Sequence, residues 1–332
     1  MFIANNSFVS VSKEVLLVFP GKYNAPNPQV PLALLHLANP LLKEGYNVRI
    51  LDMRVTNYRD VKVGRPIFAG ITSMSGHQIK YGLEFAKKLR AELPNCPIVW
   101  GGVHPTLLPE QTAQNSYVDI VVRGEGEETI TELANKLYTN QPVDDIKGIT
   151  YKHNGKIISN PDRNFIDLNN ISPTLPYHLI NKERYPSLQA GRVHIQTSRG
   201  CPHKCKFCYN SIVNKSVWRS KTPERILEEI ELLHREFPNL KNIDIIDDNF
   251  FVDKNRVVQV CKGLIQRQYG LSWRANCRFD YLDACDKEFI SLLEKSNCKE
   301  LNFGAETGST RLLTLIKKDI APSQMVNALQ NL

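Results

Sequence analysis

Three cysteines within one short segment are the most chemically distinctive feature of this sequence. Cys201–Cys208 reads CPHKCKFC, so its cysteines are spaced C-x₃-C-x₂-C directly after a predicted strand and Gly200. Three thiolates on one tight loop can bind three irons of a [4Fe–4S] cluster and leave the fourth iron open to a small molecule. A structural zinc site needs four ligands, and His203 lies inside the loop, where it is badly placed to complete the set. The spacing therefore favours an iron–sulfur cluster, with the ligands Cys201, Cys205 and Cys208.

Loops rich in glycine and hydroxyl groups follow three predicted strands in the first half of the chain. They are Thr72–Gly76, Gly101–His104 and Arg123–Glu127. Because the carboxyl ends of parallel strands meet at one edge of a sheet, where ligands bind, these loops predict a binding site for a small molecule. The first strand is not followed by Gly-x-Gly-x-x-Gly and no Walker sequence is present, which argues against a dinucleotide or a nucleoside triphosphate.

The spacing of apolar segments predicts an α/β fold. In the first half, five short apolar strands alternate with helical segments, as in a doubly wound parallel sheet. These strands are Val15–Phe19, Val48–Asp52, Ile67–Ile71, Ile98–Trp100 and Ile120–Val122. A second αβ series follows, in which Thr222 and Pro223 predict the start of a helix. Its predicted strands are Val193–Ser198, Ile243–Ile246, Leu271–Ala275 and Glu300–Phe303.

The segment between the two series is neither strongly helical nor strongly β. Ile149–Lys152 and Lys156–Ser159, joined at Asn154-Gly155, predict a small hairpin, and prolines then interrupt the chain without a long periodic pattern. We therefore predict a first domain over residues 1–140, a linker with this hairpin over 141–190, and a second domain over 191–332.

Composition places the chain among ordinary globular proteins. It has 332 residues, 42% hydrophobic and 23% charged, a length that suits two domains. No apolar run approaches the ~20 residues of a membrane-spanning helix, and Met1–Asn6 lacks the features of a signal peptide, so we expect a cytoplasmic protein without membrane association. The net charge of +8 is spread over scattered residues, so nucleic acid is not the expected partner. Outside the cysteine segment, Cys96, Cys261 and Cys298 are predicted to be packing residues.

The cysteine segment resembles the cluster loop of the radical S-adenosylmethionine (SAM) superfamily, which has this spacing and an aromatic residue, here Phe207, before the last cysteine. Ile245–Phe251 and Gly304–Ser309 are similar to strand-end patterns of members that also carry a vitamin B12 (cobalamin) domain. Gly101–Thr106 and Val118–Glu127 are typical of that domain. The Asp-x-His-x-x-Gly sequence that places a histidine below cobalt in other B12 domains is absent, so the resemblance implies cobalamin without such a ligand.

The resemblance also implies a set of cofactor contacts. SAM would be contacted by Phe207, with a core aromatic as the alternative, and by Asp248 and Glu306, with helix capping as the alternative. Arg274 and Arg278 would pair either with the SAM carboxylate or with a neighbouring acid. Cobalamin would be surrounded by loop residues of the first domain, namely Thr72, Ser73, Gly101, Gly102, His104, Gly124, Glu125 and Gly126.

For function, the resemblance implies an enzyme in which an electron from the reduced [4Fe–4S] cluster cleaves SAM, and the resulting radical takes a hydrogen atom from an unactivated carbon. With cobalamin, the outcome would be methylation, oxidation or cyclisation of a small-molecule substrate, and the electron donor would be a protein such as flavodoxin or ferredoxin. Barrels of this family have six strand–helix units, whereas four are recognisable here, so we expect a partial, truncated (β/α) radical SAM barrel. Two alternatives stay open: a first domain that has lost cobalamin and serves as a scaffold, and a zinc-dependent nucleic-acid-binding protein.

Overall fold

A computed structural model describes residues 13–283 and 285–332 of the protein. The chain divides into two compact units. The first contains the described residues up to Ile166 together with Leu175–Pro186, and the second contains Asp167–Thr174 and the described residues of Ser187–Leu332. Within the described ranges, the helices are all too short or too polar to cross a membrane.

The first unit is built around one seven-stranded sheet. Its strands are β1 Glu14–Phe19, β2 Asn47–Asp52, β3 Phe68–Thr72, β4 Ile98–Gly101, β5 Ile120–Val122, β6 Ile149–His153 and β7 Lys156–Ser159. Its helices are α1 Leu32–Lys43, α2 His77–Glu92, α3 Val103–Leu107, α4 Pro109–Gln114 and α5 Glu127–Tyr138. Each of the five strands predicted for the first half of the chain is present in this sheet.

Five parallel strands form the centre of the sheet, in the order β2-β1-β3-β4-β5. Both faces of β1 are buried: Val15 and Leu17 belong to one apolar cluster, and Leu16 and Val18 belong to a second cluster together with Phe85 of α2. A strand that is buried on both faces is apolar at every position, which is why these segments read as unbroken apolar runs. The strand order and direction confirm the predicted doubly wound parallel sheet.

The hairpin formed by β6 and β7 extends this sheet beyond β5. β6 runs antiparallel to β5, with Ile149 opposite Val122 and Tyr151 opposite Ile120. Both Ile149 and Tyr151 are buried in the core of the first unit. This hairpin was predicted as part of the linker, whereas its two strands belong to the sheet of the first unit. The hairpin was recognisable from its turn, but the sequence did not show that its apolar face covers the edge of β5.

The second unit contains a four-stranded sheet and a separate two-stranded ribbon. Its strands are β8 Arg192–Ile195, β9 Ser198–Arg199, β10 Arg219–Ser220, β11 Asn242–Ile245, β12 Ser272–Cys277 and β13 Cys298–Phe303. The remaining helices are α6 Pro186–Gln189, α7 Asn210–Val213, α8 Pro223–Glu236, α9 Lys254–Arg267, α10 Phe279–Asp283, α11 Lys287–Lys295, α12 Thr310–Leu315 and α13 Pro322–Asn331. Short 3₁₀ turns occupy Tyr58–Asp60, Leu168–Asn170, Tyr177–Leu179, Lys182–Arg184 and Phe250–Val252.

The four-stranded sheet is parallel throughout, in the order β13-β12-β11-β8. These are the four strands that the sequence predicted, with their ends shifted by a few residues. Polar side chains begin the helices between them: the Thr222 hydroxyl accepts a hydrogen bond from a backbone N–H of α8, as predicted, and Asp253 and Asp286 do the same for α9 and α11. These three caps fix the starts of the helices that precede β11, β12 and β13.

Candidate functional site

The cysteine segment forms a loop that follows the carboxyl end of β8. The antiparallel ribbon of β9 and β10 closes the base of this loop, where the backbone of Arg199 lies opposite that of Arg219. Gly200, immediately before the first cysteine, has a φ of 86°, and a Cβ atom there would lie 2.1 Å from the carbonyl oxygen of Val217. Only glycine combines this backbone conformation with so close an approach, so the start of the loop is determined by packing.

Asp248 holds both ends of the cysteine loop. One of its carboxylate oxygens accepts a hydrogen bond from the backbone N–H of Gly200 at 3.0 Å, and the other accepts one from the hydroxyl of Tyr209 at 2.8 Å. Burial and then the Asp248 charge raise the pKa of Tyr209, so the hydroxyl stays protonated and able to donate. Because Gly200 precedes the first cysteine and Tyr209 follows the last, one side chain after β11 sets the width of the loop. The SAM contact expected of Asp248 stays a prediction.

Asp247 is completely buried and connects the end of β11 to the end of β8. Its carboxylate accepts hydrogen bonds from the backbone N–H of Thr197 at 2.6 Å, from the Thr197 hydroxyl at 2.5 Å and from the Ser198 hydroxyl at 2.6 Å. Arg256 donates to the carbonyl oxygen of Thr197 at 3.0 Å and to its Oγ1 at 2.6 Å. Burial raises the pKa of Asp247, while the Arg256 charge and the hydrogen bonds oppose that rise. The network fixes the residues that lead into the cysteine loop.

All eight cysteines of the chain are free, and the three in the loop differ in exposure. Cys205 is buried, whereas Cys201 and Cys208 are partly exposed. N–H groups face two of the sulfurs: Nδ2 of Asn249 lies 3.8 Å from Sγ of Cys201, and Nη1 of Arg278 lies 4.0 Å from Sγ of Cys205. Burial raises the pKa of Cys201, while a backbone N–H, the Asn249 amide and the Arg278 charge oppose that rise.

This set of donors fits an iron–sulfur cluster. Hydrogen bonds to the charged form favour thiolates over thiols, and thiolate is the form in which cysteine binds metal. Among the residues that the structure describes, no group of three or more His, Cys, Asp or Glu side chains surrounds a single metal position. A four-iron cube makes a different demand, because each thiolate binds its own iron. The residues that would hold such a cluster are Cys201, Cys205 and Cys208.

Phe207 and Glu306, both predicted to contact SAM, lie near the ammonium group of Lys318. The Lys318 Nζ atom is 5.8 Å from the centre of the Phe207 ring and 3.1 Å from Oε1 of Glu306. A Cβ atom on Gly304 would lie 2.7 Å from that Glu306 oxygen, so glycine leaves room for the ion pair. Phe207 is 57% exposed, so the alternative that it is a core aromatic is wrong. Contact of Phe207 and Glu306 with SAM stays a prediction.

Both candidate arginines pair with neighbouring acids. Nε and Nη2 of Arg274 contact the two carboxylate oxygens of Asp244 at 2.6 Å each. Nε of Arg278 donates to Asp280 at 2.9 Å, and its Nη2 donates to the carbonyl oxygen of Lys318 at 2.8 Å. Of the two alternatives that the sequence left open for these residues, the structure shows the pairing with neighbouring acids.

A row of polar side chains, which was not predicted from the sequence, crosses the four-stranded sheet. The strand register brings His194, Asp244, Arg274 and Glu300 side by side on β8, β11, β12 and β13. Nε2 of His194 lies 3.1 Å from Oδ2 of Asp244, and both side chains are buried. The signal was a single polar residue between two apolar ones in β8, β11 and β12, which indicates that one face of the sheet is polar.

In the first unit, the loops after β3 and β4 pack directly against each other. The backbone N–H of Ser73 donates to the carbonyl oxygen of Gly101 at 2.8 Å, and the N–H of His104 donates to that of Ser73 at 3.0 Å. Gly102 has a φ of 95°, and a Cβ atom there would lie 2.9 Å from Oγ1 of Thr72 and 3.0 Å from the carbonyl oxygen of Ser73. This close approach brings together five of the residues predicted to surround cobalamin.

The loop after β5 is tied to its neighbours by polar contacts. The backbone N–H of Gly124 donates to Oγ1 of Thr106 at 3.0 Å, which connects this loop to α3. Oε2 of Glu125 accepts a hydrogen bond from the backbone N–H of Ile166 at 2.9 Å. A Cβ atom on Gly124 would meet nothing within 4 Å, whereas one on Gly126 would lie 2.9 Å from a leucine side chain of α1. The open space at Gly124 fits a bound group, and contact of these residues with cobalamin stays a prediction.

Each of the two units matches a known protein family. The B12 binding domain family matches residues 23–134, and the Radical SAM superfamily matches residues 195–332. An uncharacterized methyltransferase of Pyrococcus horikoshii is 31% identical over 330 residues, which are 96% of this chain and 70% of that protein.

Two further proteins match this chain over most of its length. The anaerobic magnesium-protoporphyrin IX monomethyl ester cyclase of Synechocystis sp. is 27% identical, over 89% of this chain and 62% of that enzyme. The solved structure of the cobalamin-dependent S-adenosylmethionine radical enzyme OxsB, with aqua-cobalamin and S-adenosylmethionine bound, shares the fold with a TM-score of 0.80 and 23% identity, over 97% of this chain and 48% of OxsB. With both units matched in order along the chain, the protein belongs to the radical SAM proteins that carry a B12-binding domain.

Proposed function

We propose that this protein is a cobalamin-dependent radical SAM enzyme whose [4Fe–4S] cluster is held by Cys201, Cys205 and Cys208. The observation that carries this proposal is the construction of the cysteine loop. Asp248 holds both of its ends, and N–H groups face two of its sulfurs. A neutral thiol is a weak acceptor, so cysteines that served only for packing would have no use for buried donors of this kind.

SAM binds, in this proposal, beside the cluster loop. The exposed ring of Phe207 offers an apolar surface of the kind that an adenine ring needs. Glu306 and Asp248 supply carboxylates for the ribose hydroxyls or the amino group of SAM. Asp248 already spans the loop, so it would position the thiolates and contact SAM from the same strand end.

Cobalamin binds, in this proposal, at the carboxyl edge of the first sheet. The tight packing of the loops after β3 and β4 is achieved through glycine and hydroxyl-bearing residues. These loops bring backbone groups and small side chains to one edge of the sheet, which suits a large ligand with many amide groups. The residues proposed to line it are Thr72, Ser73, Gly101, Gly102, His104, Gly124, Glu125 and Gly126.

When bound, the cluster and SAM supply a radical that removes hydrogen from an unactivated carbon, and cobalamin supplies a methyl group. We propose methylation, oxidation or cyclisation of a small molecule; the names of the two relatives, a methyltransferase and a cyclase, support both kinds of outcome. This chain spans 70% of the length of the first relative and 62% of the second.

A small acidic electron-transfer protein such as flavodoxin or ferredoxin would reduce the cluster. We also propose that the protein works in the cytoplasm. The eight free cysteines support this location, since reducing compartments keep thiols from forming disulfides.

Anaerobic reconstitution of the full chain with iron and sulfide tests the enzymatic part of the proposal. With dithionite as reductant, the protein should convert SAM to 5′-deoxyadenosine or S-adenosylhomocysteine, and Cys205→Ala should abolish this conversion. Cys261→Ala is the matched control, because Cys261 is a buried cysteine of the same unit outside the loop. Colourless protein that binds stoichiometric zinc would instead support the zinc-binding alternative.

Hydroxocobalamin binding tests the first unit separately. The protein should co-elute with cobalamin in gel filtration, and the Co(II) form should lack nitrogen splitting from an imidazole in its electron paramagnetic resonance (EPR) spectrum. A protein that cleaves SAM but retains no cobalamin would show that the first unit is a scaffold. A nitrogen triplet that disappears in His104→Ala would contradict the expected absence of a histidine ligand.

A further inference from the structure

Asn249 is a buried amide whose donor end faces the cysteine loop. The residue is 1% exposed, and its Nδ2 lies 3.8 Å from Sγ of Cys201 and 3.4 Å from the hydroxyl of Tyr281. Its Oδ1 is buried and has no hydrogen-bond partner in the part of the chain that the structure describes. The contacts of this amide are therefore those of its N–H groups, and one of them is a cluster cysteine.

Arg278 directs a guanidinium N–H at a second cysteine of the loop. Its Nη1 lies 4.0 Å from Sγ of Cys205, and both residues are buried. The guanidinium is held in this orientation by Asp280, which accepts from Nε at 2.9 Å, and by the carbonyl oxygen of Lys318 at 2.8 Å. A buried cation thus stands beside Cys205, fixed by contacts on its other sides.

Tyr281 connects Asn249 to the cysteine loop. Its hydroxyl lies 2.9 Å from Nε2 of His203 and 3.4 Å from Nδ2 of Asn249. The rings of His203 and Tyr281 also meet edge to face, with their centres 5.9 Å apart. The donor to Cys201 therefore belongs to a connected set of side chains.

We propose that Asn249 and Arg278 are positioning residues that raise the reduction potential of the cluster by donating N–H groups to the thiolates of Cys201 and Cys205. Adding one electron to the cluster increases the negative charge on its sulfurs, so donors and a nearby cation stabilise the reduced state more than the oxidised state. This inference rests on the proposed function, because it requires that the loop hold a [4Fe–4S] cluster.

The test is a redox titration of the reconstituted full chain, followed by EPR with dithionite as reductant. Arg278→Met should shift the one-electron equilibrium about tenfold toward the oxidised cluster, which corresponds to about 59 mV. Asn249→Leu should shift it in the same direction by about threefold, since a neutral donor is weaker than a charged one. Arg278→Lys, which keeps the charge, should recover part of the shift.

Two matched controls separate this effect from general changes in charge or packing. Arg274→Met removes a cation of β12, the strand that ends immediately before Arg278, and this cation pairs with Asp244 rather than with a cysteine. Asn276→Leu removes an amide that donates to the carbonyl oxygen of Asp247 at 3.0 Å. Both control variants should keep the potential of the unsubstituted protein.

The outcomes distinguish this inference from the proposed function. A protein that binds no cluster would overturn the proposed function itself, whereas an intact cluster with an unchanged potential in both test variants would overturn only this inference. An equal shift in Arg274→Met would also overturn it. If a variant loses its cluster, the contact is tested in unsubstituted protein labelled with ¹⁵N-arginine. Pulsed EPR of the reduced cluster should show a weak ¹⁵N coupling. Absence of this coupling would contradict the contact between Arg278 and Cys205.

Discussion

The loops at the carboxyl ends of β3 and β4 differ in kind from those that follow β8 and β11. In the first unit, backbone groups of adjacent loops bond to each other, and Gly102 leaves no room for a Cβ atom. In the second unit, side chains join the loops, with the buried Asp247 and the partly buried Asp248 as acceptors and the buried Arg256 as a donor. The loops at the two sheet edges are therefore held together by different kinds of contact. At the edge formed by β3 and β4 the loops are joined backbone to backbone, whereas at the edge formed by β8 and β11 the carboxylates of Asp247 and Asp248 join them.

The difference suits the two kinds of bound group that we propose. A large ligand that spreads over a sheet edge requires short, closely packed loops that leave space above them, and small residues allow such packing. A cluster held by three thiolates requires fixed sulfur positions and groups that balance negative charge. Four predictions, taken from the largest expected effect to the smallest, test this comparison.

Asp247→Ala should have the largest effect on stability. It removes the acceptor of three buried hydrogen bonds and one of the two carboxylates whose charges favour the buried Arg256 cation, which should cost about 3–5 kcal/mol. In a urea titration, the transition of the second unit should move to lower concentration while that of the first unit stays in place. Asp145→Ala, at an exposed acid of the first unit, is the control and should leave both transitions unchanged.

The loss of stability on replacing a glycine with alanine should depend on which atoms the added Cβ atom would contact. Gly200→Ala combines an unfavourable φ with a 2.1 Å approach to a backbone oxygen, and Gly102→Ala combines one with contacts of 2.9–3.1 Å to Thr72 and Ser73. Each should cost about 2–4 kcal/mol. Gly124→Ala is the control, because it shares the positive φ but faces open space, and it should cost about 1 kcal/mol. Unfolding of each variant by urea measures the ranking. Equal losses at all three positions would show that backbone strain alone, and not loop packing, selects these glycines.

Tyr209→Phe removes one of the two hydrogen bonds by which Asp248 spans the cysteine loop. We expect a loss of about 1 kcal/mol in the second unit and a severalfold faster loss of iron to a chelator. Tyr185→Phe serves as the control, since the Tyr185 hydroxyl donates to the buried Asp52 of the first unit at 3.0 Å. It should destabilise the first unit by a similar amount and leave iron retention unchanged. Equal iron loss in both variants would refute the spanning role of Asp248.

The smallest expected effect concerns His104. Burial lowers its pKa below the usual 6.5, and Oγ of Ser75 lies 3.1 Å from its Nδ1. The unfolded chain therefore takes up a proton at higher pH than the folded chain, so stability is complete above about pH 6.5 and declines slightly below it. A nuclear magnetic resonance titration, assigned with His104→Gln, should give a pKa below 6.5. A value above 6.5 would contradict the burial of this imidazole.

The sequence predicted features that depend on residues close together along the chain. It did not predict contacts between residues that are far apart along the chain. Local signals were reliable: the apolar run at Val15–Phe19 predicted a buried strand, and Thr222 predicted a helix start. The contact of Asn249 with Cys201 spans 48 positions, and that of Arg278 with Cys205 spans 73. No periodicity or spacing reports such pairs, because they arise only when parallel strands bring distant loops together.

The iron and acid-labile sulfide content of the reconstituted chain tests the central claim most directly. Unsubstituted protein and Cys261→Ala should each bind about four irons and four sulfides per chain, with the substitution costing about 1 kcal/mol of stability. Cys205→Ala should lose the cluster while keeping a folded first unit. Four irons retained in Cys205→Ala would contradict the assignment of Cys201, Cys205 and Cys208 as the cluster ligands.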